Sequence, residues 1–215
     1  HFSNSDNIRS IPNIMDGFKP SQRKVIFGCL KRNLYKEIKV SQLSGYISEN
    51  TAYHHGEMSL QGTIIGLAQN FLGSNNINLL EPNGQFGTRL TGGMDHASSR
   101  YIFTALNNIV KCIFNDNDIP LLESKYDDGT KIEPVFYTPI IPTILVNGTS
   151  GIGTGYSSKV PCYNPLEIIG NIKRMLNDED IIEMKPWYMG FNGNIIKIDE
   201  NRYVSRGIYK FLDFN

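Results

Sequence analysis

Apolar residues recur at helical spacing through much of the first third of the chain. In SQRKVIFGCLKRN, Val25, Ile26, Cys29 and Leu30 share one face, and Pro20 stands where a helix opens. That helix also presents Arg23, Lys24, Lys31 and Arg32. Residues 6 to 15 predict a shorter helix, capped by Ser5 or Asp6 and broken by Gly17 and Pro20. A third helix is expected over 40–50, with Leu43 and Ile47 inward. A fourth runs from Glu57 to Phe71, with Leu60, Ile64, Leu67, Ala68 and Phe71 as its buried stripe. Residues 72–95, rich in Gly and Asn, read as loops with short strands. The pattern predicts a helix over 102–114, an irregular glycine loop at GTSGIGTG (148–155) and a helix over 165–177. Apolar and polar residues alternate after Trp187, which predicts antiparallel strands. Three helices, a turn, a fourth helix and a glycine-rich region have the order of a helix-turn-helix with a wing, an arrangement that places a helix in the DNA major groove.

Charge sharpens that picture. The 215 residues are 40% hydrophobic and carry no net charge, which by itself argues against a nucleic-acid partner. The distribution is uneven. Residues 1–40 hold eight basic residues (Arg9, Lys19, Arg23, Lys24, Lys31, Arg32, Lys36, Lys39) against Asp6, Asp16 and Glu37. Phosphates respond to charge within about 8–10 Å in physiological salt, so a local excess counts for more than the total; a solvated helix face is the other reading. Cys29, Cys112 and Cys162 have neither metal-type nor paired spacing and read as ordinary thiols of a reducing compartment. No apolar run approaches the ~20 residues of a membrane span. The first residue is not methionine and opens mid-pattern, so the chain is expected to be part of something longer.

Four stretches carry candidate chemistry. In HASSRYIFTAL, Arg100 and Tyr101 are either a helix start or a nucleophile beside its charge stabiliser. A phenol ionises near pH 10, so attack on a phosphodiester needs nearby cations. In YHHGE, His54 and His55 precede a helix start, where an anion is welcome or where the residues merely cap a turn. The stretch lacks the i, i+4 histidines of a zinc helix. Ile152 sits between glycines as a core plug or an exposed wedge able to enter a base step. The glycine loop lacks the Gly-Lys-Ser/Thr ending of a nucleotide loop. Asp116 and Asp118 read as a solvated turn.

SIPNIMDGFKPSQRKVIFGCLKRN, AYHHGEMSL, IIGLAQNFLGSNNINLLEPNGQFGTRLTGG, RYIFT and PIIPTILVNGTSGIGTGYSSKVP occur in one order. Together they closely resemble the breakage-reunion region of eukaryotic-type DNA topoisomerase II, a type IIA topoisomerase. The likeness is weakest after about residue 178. Bacterial relatives typically read His-Pro-His-Gly where this chain has His54-His55-Gly56. The resemblance implies an α+β fold: a winged-helix DNA-cleavage domain over 1–140, then the start of an α/β tower domain over 141–215. It implies that Tyr101 attacks a DNA phosphate and becomes linked to the 5′ end, and that Arg100 stabilises the transition state. His55 would hydrogen-bond the reacting phosphate, with His54 beside it. Arg9, Lys19, Arg23 and Lys24 would line the DNA around Asp16, and Ile152 would insert between base pairs.

In the family the reaction makes a transient double-strand break, passes a second duplex and reseals, relaxing supercoils and decatenating DNA. The partners implied are double-stranded DNA and a second copy of the chain, with no membrane. The compartment implied is the nucleus or, for a viral member, a compartment of the host cell. The cofactors are Mg²⁺ on a Toprim domain and ATP on an ATPase domain. The Toprim motifs Glu-Gly-Asp and Asp-x-Asp are absent here, so no metal ligand is expected in this chain and inefficient cleavage is expected of it alone. Ser99 stands where some members carry proline. The rival expectation is a winged-helix module that binds DNA without cutting it.

Overall fold

A computed structural model describes residues 1–200 and 202–211. The first helix, α1 (Phe2–Ser10), lies earlier than the expected 6–15 and buries none of its residues. Pro12 explains the shift. It lacks an N–H and forces the preceding residue out of the helical region, and Ile11 is extended at φ −90°, ψ 127°. Ser5 and Asp6 therefore lie within the helix rather than at its cap.

Helix α2 (Pro20–Lys31) begins at its proline, where the Lys19 N–H donates to Gln22 Oε1 at 2.8 Å. Helix α3 is Val40–Asn50 and α4 is Glu57–Ala68. The expected stripes are buried: Val25, Ile26 and Cys29 of α2, Leu43 and Ile47 of α3, Leu60, Ile64, Leu67 and Ala68 of α4. The helices α2 and α3 approach closely at Gly28, where a Cβ would lie 2.8 Å from Ile47 Cγ1. Helix α4 stops short of Phe71 because the Asn75 amide donates to the carbonyls of Gly66 (2.7 Å) and Gln69 (2.8 Å).

The helix expected over 102–114 is replaced by extended chain. Ile102, Thr104 and Leu106 point inward with Ala105 also buried, and Phe103 is half-buried between them. Strand β1 (Ile38–Lys39) pairs antiparallel with β2 (Phe103–Thr104), and isolated bridges join Leu80 to Leu106 and Asn83 to Phe103. Only α5 (Val110–Ile113) is helical there. Next comes a hairpin of β3 (Ser124–Asp127) and β4 (Thr130–Pro134), turning through Asp128 and Gly129, both at positive φ.

A short α6 (Thr143–Val146) follows. The stretch expected as an irregular glycine loop is a regular antiparallel hairpin of β5 (Thr149–Gly153) and β6 (Tyr156–Val160). Helix α7 (Pro165–Leu176) is N-capped by Asn164, which accepts from the Leu166 N–H at 2.9 Å. The expected terminal strands are β7 (Asn194–Asp199) and β8 (Arg202–Arg206).

Buried Asn76 ties the later elements to the helical core. Its amide shares its two hydrogens among the carbonyls of Val146 (2.9 Å), Trp187 (3.1 Å) and Tyr163 (3.2 Å), and Oδ1 accepts from the Met189 N–H at 2.9 Å. Asn147 adds a reciprocal pair with the backbone of Ile77.

Candidate nucleic-acid interface

Tyr101 is displayed rather than packed. It lies on a turn over residues 99–101, is 72% exposed, and donates its N–H to the Ser98 carbonyl at 2.8 Å. The Arg100 guanidinium lies 5.8 Å from the centre of its ring. No helix starts here, so the helix-start reading of this pair fails. The turn is held from behind. The Ser41 N–H of α3 donates to the Ser99 carbonyl (3.1 Å), and the Val40 N–H to the Ile102 carbonyl (3.0 Å).

The two histidines part company. Both are exposed before Gly56, the N-cap of α4, and the His55 ring packs edge-on against Tyr53 with centroids 5.5 Å apart. His55 lines a cleft of about 480 Å³ with three cations, Arg9, Lys24 and Lys125, and three carboxylates, Asp6, Asp127 and Glu133. His54 lines a different one with Glu49, Glu57, Asp127 and Asp128. The two clefts share Asp127, and both carry carboxylates: four on the His54 side, and Asp6, Asp127 and Glu133 beside the cations on the His55 side.

The basic segment also divides. Arg23 was expected to face DNA, yet its guanidinium is buried in a forked pair with Asp16: Nε to Oδ2 at 2.7 Å and Nη2 to Oδ1 at 2.9 Å. Asp16 is fully buried and further accepts from the N–H groups of Phe18 (3.0 Å) and Tyr137 (2.9 Å). Burial, opposed in part by Arg23, holds the Tyr137 phenol well above its ordinary range. Lys24 is largely engaged too. Its ammonium donates to the Thr51 carbonyl and to buried Glu133 at 2.8 Å, and Glu133 also meets Lys125 at 3.7 Å. These two cations order the segment from the inside. Arg9 stays largely exposed, with a loose 4.0 Å contact to Asp6, and Lys19 is half-buried at the start of α2. Arg9, Lys19 and Arg100 are thus not consumed by a buried ion pair, while Lys125 keeps its 3.7 Å contact with Glu133.

Ile152 is 80% exposed, the fourth of the five residues of β5. Its flanking glycines explain why. A Cβ on Gly151 would strike the Ser10 carbonyl and lie 2.6 Å from Pro12 Cδ, and one on Gly153 would strike Asn7 Oδ1. The hairpin is pressed onto α1 through its glycine face, and strand alternation turns Ile152 outward. The contact is fastened by Thr154 Oγ1 donating to Asp6 Oδ2 at 2.8 Å. The core-plug reading of Ile152 is excluded.

A sequence model of the A-subunit family of DNA gyrase/topoisomerase IV matches residues 9–213. The chain belongs to that family. Its eukaryotic-type character is equally plain. DNA topoisomerase 2 of Saccharomyces cerevisiae is 59% identical over 202 residues, covering 94% of this chain and 14% of its own length. That of Drosophila melanogaster is 56% identical over 214 residues, covering 100% of this chain and 15% of itself. DNA topoisomerase 2 of Acanthamoeba polyphaga mimivirus is 56% identical over 213 residues, covering 98% and 17%. The solved structure of the Plasmodium falciparum topoisomerase II DNA-binding, cleavage and re-ligation domain superposes with a TM-score of 0.96 at 58% identity, covering 98% of this chain and 29% of that one. The α+β winged-helix fold is therefore established. The chain spans about 15% of the length of the curated relatives it matches.

Within this topoisomerase fold the sequence pattern left several site residues unseen. Glu133 reaches Lys24 across 109 positions, and Lys125 enters the His55 cleft from the β3–β4 hairpin. Gln61, on the expected buried-stripe helix, turns out to touch the tyrosine turn through Ser99 at 2.7 Å. No local spacing signals such contacts; only the serine that stands where some family members carry proline marked position 99 as unusual.

Proposed function

We propose that this chain is the DNA-cleaving portion of an ATP-dependent type II DNA topoisomerase and that Tyr101 is its nucleophile. The observation that carries the reading is a tyrosine held out on a braced turn with a guanidinium beside it. In this reaction Tyr101 Oη attacks the phosphorus of a DNA phosphodiester and loses its proton. The bond from phosphorus to O3′ breaks, the 3′ hydroxyl leaves with a proton, and the 5′ phosphate stays on the phenol. Religation is the reverse attack by the 3′ hydroxyl, so bond energy is conserved and ATP serves the conformational cycle rather than joining.

Arg100 faces the charge that grows on the phosphoryl oxygens, and His55 donates a hydrogen bond to the same group. Arg9 and Lys19 follow the backbone, while Ile152 enters a base step and bends the duplex. Helix α4 is the element read as entering the major groove. The division into a winged-helix domain (1–140) and the start of a tower (141–215) belongs to this reading, although Asn76 and Asn147 bind the two firmly.

Among the described residues no group of three or more His, Cys, Asp or Glu is placed to hold a metal ion, and the Asp16 carboxylate is spent on Arg23 and two backbone N–H groups. The reading places Mg²⁺ on a Toprim domain, supplied by a second copy of the protein, and ATP on an ATPase domain. A homodimer follows from that division of labour, and the nucleus is the compartment proposed. The test uses a full-length enzyme carrying residues 1–215. Trapping with denaturant should yield protein covalently joined to DNA, and Tyr101→Phe should abolish the adduct while DNA binding persists. An undiminished adduct in Tyr101→Phe would refute the assignment, and no adduct from the unaltered enzyme would favour a module that binds without cutting.

A further inference from the structure

Beside the backbone bonds from Ser41 and Val40, one side-chain amide tethers the tyrosine turn to the helical core. Ser99, immediately before Arg100, donates from Oγ to Gln61 Oε1 at 2.7 Å. Gln61 Nε2 donates to Glu57 Oε1 at 2.7 Å and lies 3.4 Å from Ser44 Oγ. Ser44 Oγ itself donates to the Ser41 carbonyl at 2.8 Å, and the Ser41 N–H returns to the Ser99 carbonyl at 3.1 Å. The circuit closes on the turn where it began.

Its direction is fixed by chemistry. An ionised Glu57 can only accept, so it takes the NH₂ end of the Gln61 amide and leaves Oε1 for the Ser99 hydroxyl. Gln61 therefore needs both ends of its amide at once. The geometry also joins two parts of the site. Glu57 is the first residue of α4, directly after the Gly56 cap and two positions from His55. The same side chain that grips the nucleophile's turn thus grips the helix start that presents the imidazole.

We propose that Gln61, through Ser99, is a positioning residue for the reaction at Tyr101. It sets the placement of the exposed turn relative to the α4 N-terminus, and so of the phenol relative to the phosphate. The inference rests on the reading of Tyr101 as the nucleophile. Tyr101 buries little surface of its own, so its aim depends on what holds its turn. Misplacement of a reacting group by about 1 Å can cost on the order of a hundredfold in rate.

The experiment measures single-turnover adduct formation in a full-length enzyme carrying residues 1–215, together with DNA affinity and thermal midpoint. Gln61→Leu and Ser99→Ala should each slow adduct formation about tenfold, the scale of one hydrogen bond. Affinity and midpoint should stay unchanged. The double variant should be no slower than the slower single one, because both break one link. Ser99→Thr, which keeps a hydroxyl, should recover most of the rate. Wild-type rates in both single variants would overturn the proposal. So would losses that multiply in the double variant, losses that follow the thermal midpoint, or no recovery with threonine. Failure of the nucleophile reading itself looks different: the unaltered enzyme would then form no adduct, or one that Tyr101→Phe leaves undiminished.

Discussion

Asp16 and Arg23 neutralise each other out of water, and removing one leaves the other stranded. Asp16→Ala should lower folding stability by about 3–5 kcal/mol, as expected for an uncompensated buried charge, measured by urea unfolding. Arg9→Ala should barely change stability, since its ion pair is exposed and loose. It should instead reduce the salt dependence of DNA binding by about one phosphate contact. Two basic residues of one sequence segment thus separate by environment alone. The thiols separate in the same way. Burial pushes the Cys29 thiol up to about 12 and Cys162 to about 11, while Cys112 is exposed. A raised pKa keeps the unreactive protonated form at pH 8. Alkylation of the native chain at that pH should therefore modify Cys112 alone, and unfolding should release the other two; rapid labelling of Cys29 in the folded chain would contradict its placement.

At the scale of elements, the glycine face of the β5–β6 hairpin makes a sharp prediction. Gly151→Ala forces a methyl against the Ser10 carbonyl and Pro12, so the hairpin must lift from α1. DNA bending, read by energy transfer between dyes on the duplex ends, should fall in Gly151→Ala and in Ile152→Ala alike, whereas Gly155→Ala meets no neighbour and carries only the strain of its positive φ in the turn. How much of this was legible beforehand depended on where the partners lie. Helices α2, α3 and α4 were readable because their stripes are long and local. The 102–106 segment was not: IFTAL suits a helix or a strand, and the deciding neighbours Ile38, Lys39, Leu80 and Asn83 are remote in sequence. The β5 strand was hidden because its inward face is glycine, which carries no hydropathy signal. The engagement of Arg23 and Lys24 has no local signal, because Asp16 and Glu133 reach them from outside their helix. The Arg100–Tyr101 pair, the YHHGE cap and Ile152 were visible as motifs, but their surroundings were not.

At the scale of the whole molecule, Asn76 is the joint between the helical core and the segment from α6 to Trp187. Asn76→Ala removes its bonds and leaves buried carbonyls without donors, at about 1–3 kcal/mol for each group left unpaired. Hydrogen exchange should then show α6 and α7 opening more readily than α2 to α4, and uniform destabilisation would argue against a joint at this position. Function, on this reading, needs a nucleophile braced by the first part of the chain and a wedge carried by the second, with both facing one duplex. The most direct measurement is to trap the full-length enzyme on end-labelled DNA, digest the adduct and sequence the nucleotide-bearing peptide. A single modified residue is predicted, Tyr101, joined to the 5′ phosphate. Attachment to any other residue, or to a 3′ phosphate, would contradict that assignment.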